Sequence, residues 1–331
     1  MSRTGGNQKL RPMYLYKLLF DETDEFHPLT RAELCEMLLK RHGMEVNRKT
    51  FYDDLLYLQE MGADIARGAG RGTYFLASRE FEMPELHLLV DAIQSSKFIT
   101  EKKSRTLIEK LSSLCSRHEA GQLKSNVRLS RRNKAVNESI FYNIDAIYRA
   151  ITDGKQLSFR YFNWELKEGK LTRAYRREGG FYTVSPIAVT WDDEKYYLIA
   201  FDSNAKDLRH YRVDKMEQLS IIDKSREGGE MLENFDSGEY TARHFGMYGG
   251  KTMSVTLRFK KELLGVAVDR FGKDARIRPD GEHHFLLISD VSVSPQFFGW
   301  LFSLEDNVQL IAPEQAVLQM KTLLDKLNPL Y

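Results

Sequence analysis

The sequence predicts a multidomain α+β protein, and three observations support this fold class. The chain has 331 residues, which is too long for one ordinary hydrophobic core and suits two or three domains of roughly 100 to 150 residues. Apolar residues recur at helical spacing through about the first 150 positions, and short strand-type runs follow after Lys155. The final hundred or so residues alternate strand and helix patterns. A helical N-terminal part followed by two β-containing parts is therefore expected.

The composition is that of a soluble globular protein, with 42% apolar residues, 29% charged residues and a net charge of +2. No stretch approaches the roughly 18 apolar residues that span a bilayer. The start, MSRTGGNQKLRP, lacks the apolar core of a secretion signal. We therefore expect a cytoplasmic protein without a membrane partner.

Three helices are predicted in the first 62 residues. The first contains Pro12, which a helix tolerates in its first turn. The second begins at Thr30, which forms a capping-box pattern with Glu33, and it stops before Gly43. The third begins after Asn47, a plausible N-cap, and stops at Gly62.

A hairpin follows, because Gly68, Gly70 and Gly72 separate two short β-type runs and glycine accepts a positive φ. Three helices and a hairpin within about 75 residues are typical of a winged helix-turn-helix, whose second helix of the pair enters the major groove. The segment has no net charge, since twelve basic residues balance twelve acidic ones. The same fold used as a protein-interaction module therefore remains an alternative.

The candidate DNA-binding residues lie where a winged helix-turn-helix meets phosphates and base edges, near the helix starts and the hairpin tip. They are Thr30, Asn47, Arg48, Lys49, Thr50, Tyr52, Arg67 and Arg71. Their expected partner is a double-stranded DNA operator.

The pattern from Pro84 to about Thr152 is helical and predicts a bridging layer between domains or subunits. Between Glu101 and Val136, ten Lys or Arg residues stand against three Asp or Glu residues. A solvated helical linker and a phosphate- or partner-facing surface both explain this excess.

Short strand-type runs separated by turn signals follow Lys155 and predict a small antiparallel barrel or sheet. After a linker, the strand and helix patterns from about residue 252 onward suit a ferredoxin-like α+β domain.

The runs KYYLIAFD and LRHYRVDKM resemble the WYL family of bacterial transcriptional regulators, named for a Trp-Tyr-Leu motif that here is Tyr196-Tyr197-Leu198. Upstream, VSPIAV resembles the family's strand with a proline. Downstream, FGMYGG, VDRFG and FGWLF resemble the C-terminal WCX extension that often follows a WYL domain. Tyr196 replaces the family's tryptophan and preserves an aromatic surface. The resemblance covers nearly the whole chain.

The resemblance implies an Sm-like (SH3-type) β-barrel that acts as a sensor, with single-stranded nucleic acid or a nucleotide as the suspected effector, and it implies a homodimer. The expected domains are a winged helix-turn-helix at 1–80, a helical linker at 81–137, a WYL sensor domain at 138–224 and a C-terminal extension for dimerisation or sensing at 225–331. The function expected is a ligand-controlled, DNA-binding transcriptional regulator. The alternative is a sensing or scaffolding protein whose winged helix contacts protein.

An arginine in a small sheet is costly to bury unpaired, so it is expected to meet an acid or a ligand phosphate. Strand parity places Arg209 and Arg212 on opposite faces unless a bulge or a strand end brings them together. An ordinary ion pair of Arg212 with Asp214 is an alternative. The same parity leaves one face of the Tyr196–Phe201 run as core. The predicted effector site comprises Arg160, Ser185, Tyr196, Tyr197, Arg209, His210 and Arg212.

Features of an enzyme or a metalloprotein are missing from the sequence. It has no Gly-x-x-x-x-Gly-Lys loop, and GAGRG lies in a hairpin instead of a strand-to-helix turn. His283 and His284 are adjacent in a strand and face opposite ways. Cys35 and Cys115 are predicted to be buried free thiols. We expect no catalytic site, cofactor or metal.

Overall fold

The computed structural model describes residues 8–125, 139–229 and 235–330. The chain forms two compact units that divide between Glu138 and Ser139. The end of the basic stretch predicted up to Val136, and the domain boundary predicted at 137/138, lie outside the described residues. None of the described helices is long and apolar enough to span a membrane.

The first unit begins with three helices and a small antiparallel sheet and continues with three further helices. Its elements are α1 (Arg11–Glu22), β1 (Leu29–Thr30), α2 (Arg31–His42), α3 (Arg48–Glu60), β2 (Ile65–Arg67), β3 (Thr73–Leu76), α4 (Met83–Ser95), α5 (Glu101–Ser112) and α6 (Arg117–Ser125). The sheet order is β1-β3-β2.

Local chemistry sets the helix ends, and the predicted caps are confirmed. The Thr30 hydroxyl accepts a hydrogen bond from the Glu33 amide, and the Glu33 carboxylate accepts one from the Thr30 amide, which completes a capping box at α2. Asn47 accepts from the amide of Thr50 at the start of α3. Gly43 ends α2 in the left-handed region with φ 65°.

The described part of the first unit contains two separate apolar cores. One lies among α1 to α3 and the hairpin, around Phe51 and Leu15. The other lies among α4 to α6, around Leu86, Ile108 and Leu123. The elements that carry the DNA-binding candidates and the helical segment α4–α6 therefore have separate hydrophobic cores.

The second unit opens with α7 and a six-stranded antiparallel sheet. Its elements up to the linker are α7 (Ser139–Thr152), β4 (Lys155–Lys167), β5 (Lys170–Tyr175), β6 (Tyr182–Asp192), β7 (Lys195–Asp202), β8 (Asp207–Arg212) and β9 (Met216–Ser225). The strand order is β5-β4-β6-β7-β8, and β9 pairs with β4. The sheet is curled, and its long strand β4 pairs with three other strands, β5, β6 and β9.

Three features of this sheet differ from the sequence prediction. The run from Leu208 to Ile222 is two strands, because a 3-10 turn at Val213–Lys215 interrupts it. Strand β5, which completes a hairpin with β4, was not predicted. The expectation of a single buried face on β7 is wrong, because Leu198 and Ala200 are as fully buried as Ile199 on the opposite face.

The C-terminal part is a four-stranded antiparallel sheet covered by helices. Its elements are α8 (Ser237–Ala242), β10 (Lys251–Lys260), α9 (Leu264–Phe271), β11 (Arg276–Asp280), β12 (His284–Val293), α10 (Pro295–Phe302), β13 (Val308–Ala312) and α11 (Glu314–Leu327). The strand order is β11-β12-β10-β13. The sequence missed β11 because RIRPD has a single aliphatic side chain, Ile277, and a proline.

Candidate functional site

A cavity of about 1120 Å³ lies in the second unit between strands β7 and β8 and the segment after α8. Its wall is rich in cations. The basic residues lining it are Arg176, Lys195, Arg209, Arg212, Lys215 and Lys251, and the acidic ones are Asp193 and Asp207. We call this cavity the cationic pocket. Among the described residues, six basic side chains against two acidic ones favour an anionic ligand.

Strand β8 places both predicted arginines in the cationic pocket, because Arg212 is the last residue of the strand and a 3-10 turn follows it. Across the sheet, Arg209 is opposite Ala200 and Arg212 is opposite Tyr197. The side chain of Arg209 is exposed, and among the described residues none forms a hydrogen bond or an ion pair with it. Its guanidinium is available to a ligand.

Arg212 is paired within the protein, as the alternative interpretation of the sequence held. Its Nε and Nη2 donate to the two carboxylate oxygens of Asp214 at 3.0 and 2.7 Å. Hydrogen bonding to Asp214 raises the pKa of Arg212 above its ordinary value. A bidentate pair fixes the guanidinium and leaves its remaining N–H groups for another acceptor.

Lys215 marks a second concentration of positive charge in the cationic pocket. Burial lowers the pKa of Lys215, and the neighbouring cations Arg212, Arg176 and Lys195 lower it further, while Asp214 opposes them. The Arg176 guanidinium lies 5.4 Å from the centre of the Tyr161 ring. Like charges held this close indicate a positive potential that an anion would relieve.

His210 connects β8 to the segment that forms the opposite wall. Its Nδ1 lies 2.7 Å from the Met247 carbonyl oxygen and its Nε2 lies 2.9 Å from the Tyr240 hydroxyl. A carbonyl can only accept, so Nδ1 carries the proton and Nε2 accepts from Tyr240. Burial and the adjacent His244 lower the pKa of His210 to about 4. The imidazole is neutral, and both of its nitrogens form hydrogen bonds within the protein. His210 is therefore part of the pocket wall and has no ring nitrogen left for a ligand.

The glycine-containing segment from Gly246 to Thr252 forms that opposite wall. The Met247 side chain is buried against Tyr197 and Ile199 of β7. A Cβ at Gly250 would lie 2.1 Å from the Val293 carbonyl oxygen, so only glycine fits there. The sequence FGMYGG resembles the family's C-terminal extension but did not by itself predict a binding residue. Its clustered glycines were the feature from which a pocket wall could have been predicted.

Three predicted effector residues do not line the cationic pocket. Arg160 lies on the β4 face opposite Tyr161, with its guanidinium 5.0 Å from the centre of the Phe181 ring. Ser185 is fully buried and accepts a hydrogen bond from the Glu227 amide at 2.7 Å. Tyr196 packs edge-on against Trp191. Arg160 and Tyr196 therefore lie outside the pocket that holds Arg209 and Arg212, whereas Tyr197 lines it.

The candidate DNA-binding residues in the first unit divide into exposed cations and capping residues. Arg48, Lys49, Arg67 and Arg71 are exposed, and the Arg48 guanidinium lies 5.9 Å from the centre of the Tyr52 ring. The side chains of Thr30 and Asn47 are engaged in the caps of α2 and α3, and Thr50 contributes its amide to the second cap.

Sequence analysis missed Arg31, the first residue of α2. A hydrogen bond with Tyr74 lowers the pKa of Tyr52, and the charges of Arg48 and Arg31 act in the same direction. Arg31, which is half-buried, therefore lies close enough to Tyr52 for its charge to act on the phenol. Its place directly after the N-cap Thr30 was the signal that could have identified it.

A buried ion pair fixes α3 against α1. The Arg11 guanidinium donates to both carboxylate oxygens of Asp54 at 2.5 and 3.0 Å. Donating these hydrogen bonds to Asp54 raises the pKa of Arg11. This pair ties the first residue of α1 to the middle of α3.

The described residues contain no group of three or more His, Cys, Asp or Glu side chains that could hold a metal ion. Cys115 is buried, and burial raises the pKa of its thiol to about 11. Cys35 is half-buried, and burial raises its pKa as well. Neither thiol has the low pKa of a reactive cysteine.

Comparison with known proteins identifies a WYL domain at residues 142–221, inside the range predicted for it, so the resemblance seen in the sequence is confirmed. Among solved structures, the chain is similar to proteasome accessory factor B/C (PafBC) of Arthrobacter aurescens, with 18% identity and a TM-score of 0.30 over 98% of this chain. It spans 48% of the PafBC chain, about half its length. A CRISPR Cas-related protein matches with 11% identity and a TM-score of 0.37, over 95% of this chain and 97% of the other. No curated protein matches the chain.

Proposed function

We propose that the chain is a DNA-binding transcriptional regulator whose WYL domain senses a nucleic-acid or nucleotide effector. The observation that carries the proposal is the excess of basic side chains in the cationic pocket. Guanidinium groups bind phosphate through paired N–H donors, and tyrosine rings offer surfaces on which bases stack. The half-exposed Tyr248 lines the same pocket as Arg209 and Arg212, whereas Tyr161 and Tyr197 are more than nine-tenths buried in its wall.

The arginines have different proposed tasks. Arg209 has an exposed side chain and binds a ligand phosphate directly. Arg212, held by Asp214, presents a fixed guanidinium edge. Lys195, Lys215 and Arg176 supply the positive potential that draws the anion in.

The size of the pocket favours a short single strand over one nucleotide. Its volume of about 1120 Å³ exceeds the ~300–1,000 Å³ of ordinary small-molecule sites. Several phosphates spaced along a strand would also pair with several of the basic side chains that line the pocket. A strand of a few nucleotides is therefore the proposed effector.

Residues 1–80 are the proposed winged helix-turn-helix. The element order α1-β1-α2-α3-β2-β3 and the sheet order β1-β3-β2 support this fold. Helix α3 would enter the major groove of an operator, with Arg48 and Lys49 at its N-terminal end. Arg67 and Arg71 would contact backbone phosphates from the hairpin.

The remaining architecture is proposed to follow the family pattern. The curled sheet of residues 138–224 supports an Sm-like barrel, and the order β11-β12-β10-β13 supports a ferredoxin-like C-terminal domain within 225–331. Residues 81–137 would be the connecting helical linker.

We further propose a homodimer, because paired operator half-sites match a two-fold dimer. The protein is also proposed to be cytoplasmic and to have no catalytic activity. Light scattering that gives the mass of one 38.5 kDa chain at micromolar concentration would refute the dimer.

A protein-binding role for the first unit is the second candidate, and exposed apolar side chains on α3 favour it. Leu56 and Tyr57 are both more than half exposed, and Met61 follows at 84%. A gel shift with the DNA upstream of the chain's own gene distinguishes the two. Retarded DNA supports the regulator, whereas no retardation at any salt concentration favours a scaffolding protein.

The effector proposal is tested by fluorescence anisotropy of labelled single strands with the full chain. The double substitution Arg209→Ala and Arg212→Ala is expected to weaken binding, and the affinity of the unsubstituted protein should fall as salt rises. Arg160→Ala is the matched control, because it removes an arginine of the same domain that does not line the pocket. Equal affinity in the double variant and the control would refute the assignment.

A further inference from the structure

Ser116, which directly precedes α6, and the first three residues of α6 each contact a different residue between Glu22 and Arg79. Ser116 contacts Asp24, Arg117 contacts Glu22, His118 contacts His27, and Glu119 contacts Arg79. We call these four contacts the α6 joint.

The contact of Ser116 with Asp24 is fully buried. The Ser116 hydroxyl donates to Asp24 Oδ2 at 2.5 Å, and the other oxygen of Asp24 accepts from His27 Nδ1 at 2.7 Å. Burial raises the pKa of Asp24, but the hydrogen bonds from Ser116 and His27 outweigh burial and leave this pKa below its ordinary value. Asp24 is therefore a buried carboxylate that the joint keeps ionised.

Glu22, the last residue of α1, is a second buried carboxylate. Its Oε2 lies 2.7 Å from Nη1 of Arg117 and its Oε1 lies 2.9 Å from Nη2 of Arg41 on α2. Arg117 supplies one of the two cations that balance this acid. An acid buried beside two arginines depends on both of them.

The two outer contacts complete the joint. The rings of His118 and His27 are parallel and 3.9 Å apart. Glu119 lies 3.8 Å from Nε of Arg79, and Nη2 of Arg79 donates to the carbonyls of Phe20 and Thr23 at the end of α1. All four contacts therefore converge on the end of α1 and the turn after it.

The joint is polar, although each side of it has an apolar core. The buried apolar residues of α6, Ala120 and Leu123, pack with α4 and α5. They are not part of the core around Phe51. Opening the joint would expose carboxylates and cations that water solvates, and neither core would lose its packing.

We propose that the α6 joint sets the orientation of the DNA-binding fold on the helical segment and that Arg117 is its main positioning residue. This inference rests on the proposed DNA-binding function. In a dimer, the angle at which each α3 leaves its helical segment decides which half-site spacing both copies can bind together. The joint would therefore select operator spacing without touching DNA.

The test is the charge reversal Arg117→Glu, which places a third carboxylate beside Glu22 in the full-length protein. Two fluorophores are introduced through non-natural amino acids at Glu45, before α3, and Glu109, on α5, both of which are exposed. Single-molecule energy transfer is expected to give one narrow distance distribution for the parent protein and for Arg117→Lys. A broadened distribution is expected for Arg117→Glu.

Arg105→Glu is the matched control, since it reverses an exposed arginine on α5 that pairs only with Glu101 among the contacts described. A distribution for Arg117→Glu as narrow as that of the control would overturn the proposal. Global unfolding of Arg117→Glu under native conditions would also overturn it, because both cores would then need the joint in order to fold.

The DNA arm uses pairs of half-sites at varied spacing. Arg117→Glu is expected to lose the parent's preference among spacings while its affinity for one isolated half-site stays within about twofold. Retained spacing preference contradicts the proposal. A parent protein that binds no DNA would refute the proposed function, and the energy-transfer measurement would still decide whether the joint orients the fold.

Discussion

The first unit and the cationic pocket of the second unit use charge in opposite ways. In the first unit, buried acids are matched by bases: Asp54 by Arg11, and Glu22 by Arg41 and Arg117. In the pocket, six basic side chains face two acidic ones, and Arg209 has no partner among the residues described. Charged side chains that form ion pairs within the protein stabilise the fold, whereas cations without an acidic partner are candidates for ligand binding. The difference teaches which charged residues to assign to stability and which to binding.

The largest effect is expected from breaking a matched pair. Asp54→Ala leaves the Arg11 guanidinium without its acid at a site where Arg11 is only 17% exposed. The free energy of unfolding in urea should fall by about 3 kcal/mol, because removing one partner of a buried pair strands the other. Asp53→Ala, at the exposed neighbouring position, is the control and should change it by less than about 0.5 kcal/mol. An equal decrease in the free energy of unfolding for Asp54→Ala and Asp53→Ala would mean that the ion-paired acid contributes no more than the exposed one.

The pH dependence of the unfolding free energy tests whether His210, which connects β8 to the opposite wall of the pocket, is neutral in the folded protein. His210 has a pKa of about 4 in the folded protein, below its ordinary value near 6.5. Its contribution to stability is therefore complete above pH about 6.5 and is lost as the pH falls toward 4, by up to about 3 kcal/mol. The stability difference between the parent and His210→Gln should shrink over that range. A difference that stays flat over that range would contradict a buried neutral imidazole.

An unmatched cation should affect binding without affecting stability. Arg209→Ala should weaken single-strand affinity by about 2 kcal/mol, which is the value of a hydrogen bond to a charged group. Its midpoint of thermal unfolding should stay unchanged. Arg212→Ala should lower both quantities, because it also leaves Asp214 without its partner. A destabilised Arg209→Ala would mean that Arg209 is matched after all.

The smallest effects are expected on the exposed face of the first unit. Arg48→Ala and Lys49→Ala should each weaken operator binding by about 1 kcal/mol, and each lost phosphate contact should reduce the salt dependence by about one unit of slope. The unfolding free energy should not change, since both side chains are exposed. Unchanged DNA affinity in the double variant would remove α3 from the interface.

The sequence alone determined the features that depend on neighbours a few residues apart. Thr30 and Glu33 close a capping box, Asn47 starts α3, and Gly43 ends α2, each through contacts within one helical turn. The WYL motif was also visible, because Tyr196-Tyr197-Leu198 and the strand after it keep their order in the chain.

Tertiary structure alone decided which side chains meet. The cationic pocket joins β8 to a segment about 37 residues later in the chain, through His210 and Met247. The α6 joint links Ser116 to Asp24 across 92 positions. Strand parity placed Arg209 and Arg212 on opposite faces, but the 3-10 turn after Arg212 brings both to one pocket. Periodicity specifies the face of an element, whereas the partner of that face depends on how distant segments pack, and no local pattern in the sequence encodes it.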